Sequence, residues 1–152
     1  MIKRITNPDE FCSVVDCMRG LIPHGDNYES HALGLKHDTE SIKLNYANKH
    51  LLAWDFFVWA NKENDEYDAC IIFVNDKNIK FGVKIFSEYV WVSKNPKVGF
   101  KILKKAIQFA RDSKFKYISM SALCNNPNFD KYEKFYNKLG FIKDSSTFIA
   151  KI

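Results

Sequence analysis

Tyr89-Val90-Trp91-Val92-Ser93-Lys94-Asn95-Pro96-Lys97-Val98-Gly99 is the stretch on which the reading of this chain turns. It reads as the end of a buried strand, a short polar loop and a glycine that opens a helix. A helix that starts directly after a buried strand points backbone N–H groups at whatever lies before it, which suits an anion. The following residues, Gly99 to Ser113, carry Ile102, Leu103, Ala106, Ile107 and Ala110 as one apolar stripe, with Lys101, Lys104, Lys105 and Arg111 off it. Tyr117 to Leu123 then returns as a strand, and Asn128 to Leu139 as a last helix with Gly140 just past its end. A helix joining two strands in this way fits the crossover of a parallel or splayed pair.

Working outward, Ile2 to Ile5 alternates as a short strand, and Asn7-Pro8-Asp9-Glu10 supplies a cap, a proline at the first helical position and an early glutamate. Phe11, Val14, Val15 and Met18 share one face of that helix, and Gly20 is expected to stop it. Leu21 to Lys36 is an irregular, glycine-containing segment, long enough to suggest a functional loop. Asp38 caps a second helix running to about Lys49. Leu51 to Ala60, Asp68 to Val74 and Phe81 to Val92 read as three strands of an antiparallel meander, with turns at Asn61 to Glu66 and Asn75 to Asn78. Phe141 to Lys143 and Thr147 to Ile152 read as a terminal hairpin. The order is β-α-α-β-β-β-α-β-α-β-β.

The 152 residues fit one domain, 46% of them apolar and 27% charged, an ordinary soluble composition. The net charge of +5 comes mainly from lysine, with only Arg4, Arg19 and Arg111 as arginines. That balance suits a small polyanionic ligand and argues against a sequence-specific nucleic-acid reader, which needs bidentate arginine. The lysines Lys104, Lys105, Lys114 and Lys116 with Arg111 read first as a solvated helix face. Cys12, Cys17, Cys70 and Cys124 form no C-x-x-C pair, and His24, His31, His37 and His50 have no metal-ligand spacing. No apolar run reaches the ~18–20 residues of a membrane helix, and no signal core opens the chain, so a cytoplasmic, reduced location is expected.

Together, the glycine-opened helix after the strand, the closing Phe135-Tyr136-Asn137-Lys138-Leu139-Gly140-Phe141 and the element order resemble the GNAT superfamily of acyl-CoA-dependent N-acyltransferases, over nearly the whole chain. The resemblance implies an α+β fold of three layers, α/β/α. Its mixed, mostly antiparallel sheet would have about seven strands and about four helices. It also implies acetyl-CoA as co-substrate and an amine acceptor, either a small molecule or a protein. Exposed terminal strands in such folds often pair, which makes a homodimer a candidate.

The family's Q/R-x-x-G-x-G/A loop corresponds to Lys94 to Gly99. Gly99 matches its last position, Lys94 stands for Gln or Arg, and Lys97 replaces the first glycine in a loop shorter than usual. Val98, Gly99, Phe100 and Lys101 would offer amides to the CoA pyrophosphate, and Lys94, Lys97 and Lys101 charge. Val90, Trp91 and Val92 would supply the strand edge that pairs with pantetheine. Asn126, or its neighbours Asn125 and Asn128, corresponds to an asparagine near that arm. Tyr136 matches the tyrosine that protonates the departing thiolate, with Tyr132 in reserve. Glu88 is the first choice for the base, ahead of Asp55, because its strand leads into the loop. His24, Tyr28 and His31 lie where the family builds its acceptor pocket. The degraded loop also admits a second reading, a catalytically inactive GNAT-like binding or assembly module within a bacteriophage or other mobile-element protein set.

Overall fold

The computed structural model describes residues 1–21, 38–52, 54–78, 82–122 and 128–144. These fall into two compact units. Among the described residues, the first draws on those in 1–21 and 38–120, the second on 121–122 and 128–144.

In the first unit the sequence runs β1 (Ile2–Ile5), α1 (Pro8–Leu21), α2 (Thr39–Ala47), the single turn α3 (Lys49–Leu52), β2 (Phe56–Glu63), β3 (Glu66–Asn78), β4 (Val83–Ser93), α4 (Pro96–Asp112) and β5 (Tyr117–Ser119). The strands form one sheet in the order β1-β2-β3-β4-β5, antiparallel except for the parallel pair β4–β5. The second unit contains α5 (Phe129–Lys138). The described residues therefore hold five strands and five helices, one of them a single turn, where about seven strands and four helices were expected. Of the expected terminal hairpin, Phe141 to Asp144 is not strand, and Thr147 to Ile152 lies outside the described residues.

Local chemistry explains most element ends. Asn7 Oδ1 accepts from the N–H groups of Asp9 (2.8 Å) and Glu10 (3.2 Å), capping α1 as the sequence suggested. The helix continues through Gly20 to Leu21, so that glycine does not stop it. Asp38 caps α2 through the amides of Glu40 and Ser41. Asn64 and Asp65 both take positive φ (48° and 65°), the two-residue turn that suits the twist of a hairpin. The strands on either side are longer than expected because only those two residues leave the ladder; Asn75 to Asn78, expected as a turn, still pairs with β4. The expected strand from Leu51 is half wrong. Lys49–Leu52 is a helical turn, and β2 begins at Phe56.

Neighbouring side chains on a strand point to opposite faces. Phe56 meets Phe11 of α1 and Tyr46 of α2, whereas Phe57 meets Phe109 of α4. Helices α1 and α2 therefore cover one face of the sheet and α4 the other. Phe11, Val14, Val15 and Met18 are fully enclosed on the first side, as are Ile102, Leu103 and Ala106 of α4 on the second.

Candidate functional site

Three features of β4 and its exit stand in the first unit. The first is where pairing stops. β5 pairs only with Ile85, Phe86 and Ser87. Beyond Glu88 the outer edge of β4 has no strand partner among the described residues.

The second is a bulge. Ile72 pairs with Val90 but Phe73 pairs with Glu88, so Tyr89 is an extra residue on β4. An inserted residue bends the strand and reverses the alternation beyond it, and such bulges concentrate beside active sites. The outcome of that reversal can be read from Lys94, whose N–H donates inward to Asp68 O at 2.9 Å. Peptide groups of alternate residues face the same way. Those of Val92 and Val90 therefore turn toward β3, and those of Trp91 and Ser93 turn to the open edge. Of the three residues expected to offer a strand edge, Trp91 is the one whose backbone faces outward. The backbone groups of the other two, Val90 and Val92, are held in the ladder.

The third is the start of α4, which corrects the sequence reading. The helix opens at Pro96 with Asn95 as its cap, three residues before Gly99. The Gly99 N–H donates to Asn95 O at 2.9 Å, inside the helix. Lys97 N–H goes to Asn95 Oδ1 at 3.0 Å, Asn95 N–H to Ser93 Oγ at 3.2 Å, and Pro96 has no N–H. Phe100 and Lys101 lie in the second turn, where each N–H bonds back four residues. Of the four amides expected to face a diphosphate, Val98 alone keeps an N–H with no protein partner among the described residues.

Gly99 has a different task. A methyl group there would lie 3.0 Å from Ser93 Cβ and 3.4 Å from Trp91 Nε1. The glycine lets α4 sit close on the end of β4, which fixes the distance between the helix start and the open edge. Around this corner Lys94, Lys97 and Lys101 are exposed, and none joins an ion pair among the described residues. Lys104 Nζ is held over the Phe100 ring at 4.5 Å.

Glu88 lies one residue before the bulge, opposite Phe73 and on the same face as Phe86, and is partly exposed. Asp55, its alternative, is exposed at the start of β2. Asn45 is a residue the sequence did not suggest: its Nδ2 donates to Tyr89 Oη at 3.0 Å. Tyr67 donates to Glu10 Oε1 at 2.8 Å at the other end of that face, and Lys3 pairs with the same carboxylate. The lysine and the phenol hold the Glu10 carboxyl below its usual value, while burial and then the Glu10 bond push the Tyr67 phenol up to about 12. No group of His, Cys, Asp or Glu able to hold a metal stands among the described residues.

In the second unit Tyr136 is the fourth residue from the C-terminal end of α5, counting the cap Leu139. Gly140 (φ 88°) follows, and Phe141 N–H bonds Tyr136 O while Gly140 N–H bonds Asn137 O, both at 3.0 Å. This is the Schellman closure, with the Phe141 ring against Tyr136 at 5.6 Å. The Tyr136 hydroxyl donates to Ser121 O at 3.2 Å, in an exposed setting. Tyr132, the reserve, stacks on it at 6.3 Å. Asn125 and Asn126, with His24, Tyr28 and His31, lie outside the described residues.

No helix among the described residues is long and apolar enough to cross a membrane. No family model and no curated protein matches the chain by sequence. Solved structures match over its whole length. A GNAT family acetyltransferase from Staphylococcus aureus aligns at TM-score 0.61 and 12% identity, over 100% of this chain and 98% of its own. A ribosomal-protein-alanine N-acetyltransferase from Brucella melitensis aligns at 0.64 and 7%, over 100% and 99%. A predicted acetyltransferase from Clostridium acetobutylicum, solved with acetyl-CoA, aligns at 0.62 and 13%, over 99% and 96%. With an antiparallel meander, a parallel partner for β4 that soon stops, and α4 seated on the strand's exit, the chain has the GNAT acetyltransferase fold.

Proposed function

We propose that this chain transfers an acetyl group from acetyl-CoA to a primary amine by direct attack. The observation that carries the reading is the open outer edge of β4 running into the start of α4, with the Val98 N–H unspent at the turn. Acetyl-CoA would supply an activated thioester. Val98 N–H and the helix start would meet the diphosphate. Because the other amides of that turn are engaged, Lys94, Lys97 and Lys101 take a larger share of the anion than in a glycine-rich loop, each charge-assisted contact contributing about 1.5–3 kcal/mol.

Trp91 N–H, facing outward, is the donor for the acyl carbonyl, whose oxygen gains charge as the amine attacks. Glu88, or a water beside it, takes the amine proton. By the family resemblance, Tyr136 would give its proton to the leaving sulfur, as a neutral phenol can. A neighbour in fold named as an N-acetyltransferase, the ribosomal-protein-alanine N-acetyltransferase from Brucella melitensis, supports this reaction class.

Calorimetric titration with acetyl-CoA tests the reading first. Binding is expected, with an affinity that falls as salt rises because lysines carry much of it. No heat at millimolar ligand would overturn it. Release of the CoA thiol against a panel of primary amines then gives turnover, and Tyr136→Phe should lower it about 10²-fold or more with little change in acetyl-CoA affinity.

A further inference from the structure

Which backbone groups of β4 face outward depends on the one extra residue, Tyr89. A strand slip that absorbed the bulge would turn Trp91 toward β3 and Val92 to the edge. Something must therefore hold the extra residue in place, and the contacts on its side chain are specific. Tyr89 Oη accepts from Asn45 Nδ2 of α2 at 3.0 Å, in a half-buried setting. Its ring meets Trp54 at 6.1 Å and Phe56 at 5.9 Å, both near edge-on. Phe56 in turn rests on Tyr46, the residue after Asn45, at 5.4 Å. The side chain of the bulged residue is thus tied to α2 by a hydrogen bond and by a chain of rings, while Val90 beside it pairs with Ile72.

We propose that Asn45 and Tyr89 are positioning residues for the transfer: they pin the bulge and so keep the Trp91 N–H turned outward to the acyl carbonyl. Neither touches the carbonyl; both act through the backbone two residues on. The inference rests on the acetyl-CoA reading above.

The test uses the full chain and acetyl-CoA labelled with ¹³C at the carbonyl. Infrared spectra of the bound carbonyl are combined with calorimetry on acetyl-CoA and on CoA. In the wild type the bound carbonyl band should move to lower frequency than in free acetyl-CoA. Tyr89→Phe and Asn45→Ala should lose that displacement while CoA affinity stays within about threefold of wild type. Asn45→Asp should restore it, because a carboxylate accepts from the phenol O–H and remakes the tie. A merely structural role would lower the melting temperature without moving the band. An unchanged band in Tyr89→Phe and Asn45→Ala overturns the proposal, as does a wild type that binds acetyl-CoA with no displacement. Should Tyr89→Phe not fold, Asn45→Ala and Asn45→Asp decide alone. A wild type that binds neither ligand sinks the transferase reading itself and this inference with it, an outcome read before any variant is made.

Discussion

The α4 face of the sheet and the α1–α2 face are closed by different chemistry. On the α4 face, Phe57, Trp59, Phe73, Phe86, Phe109 and Phe115 meet ring to ring, Phe73 and Phe86 stacking at 4.2 Å. Its polar members include Arg4, whose guanidinium lies 4.4 Å over Phe109. The other face has its own apolar centre, but its rings also carry hydroxyls tied to α1 and α2: Tyr67 to Glu10 and Tyr89 to Asn45. Carbon packing is strong and without direction, whereas a hydrogen bond is weak and sets an angle. The contrast teaches that the α4 face supplies stability, and that the α1–α2 face sets the backbone geometry of β4.

The sharpest challenge is Phe86→Ala. Phe86 is fully buried among five rings, and its loss should cost about 3–5 kcal/mol, read by chemical denaturation. A cost near 1 kcal/mol would mean that the aromatic side is loosely filled. Next is Gly99→Ala, where the added methyl must displace Ser93 Cβ by a few tenths of an ångström. About 1–3 kcal/mol is expected, and the same substitution should cost less when made in a Ser93→Gly background. Additive costs would separate the glycine from that contact.

Tyr67→Phe should cost about 1 kcal/mol, well below Phe86→Ala, because it removes one hydrogen bond and keeps the ring. Equal losses in the two variants would erase the distinction between the faces. The smallest effect is in pH dependence. The Tyr67 phenol is raised in the fold from 10.0 to about 12, so the folded state holds a proton that the unfolded chain releases. Its contribution is complete below about pH 10 and lost as pH rises toward 12. Glu10 has the opposite sign: its carboxyl is lowered, so its contribution stands above the ordinary 4.5 and disappears on further acidification. Tyr67→Phe should flatten part of the alkaline decline and weaken the acid one, measured by melting temperature across pH.

Much of the architecture was legible because local signals agreed with long-range packing. The Asn7-Pro8 and Asp38 caps, the α4 stripe and Gly140 each combine a local rule with a buried face. The Leu51 to Ala60 run misled because a short apolar stretch does not reveal its period; its first residues turn as a helix. The start of α4 was legible too. Asn95-Pro96 repeats the Asn7-Pro8 signature, and the glycine drew the reading three residues too far. The tie from Asn45 to Tyr89 was beyond reach, since the bulge exists only in the register between β3 and β4, and α2 comes to it from more than forty residues away in the chain.

Cys70 has a consequence for measurement. It lies in β3 with no exposed surface, and burial followed by the nearby Cys17 raises its thiol to about 12, whereas Cys12 and Cys17 are half-exposed. An alkylating reagent can reach its sulfur only when the central strands separate. Pulsed labelling read at the Cys70 peptide therefore gives this protein a built-in clock for full opening, with Cys12 and Cys17 as the earlier-modified reference in the same experiment.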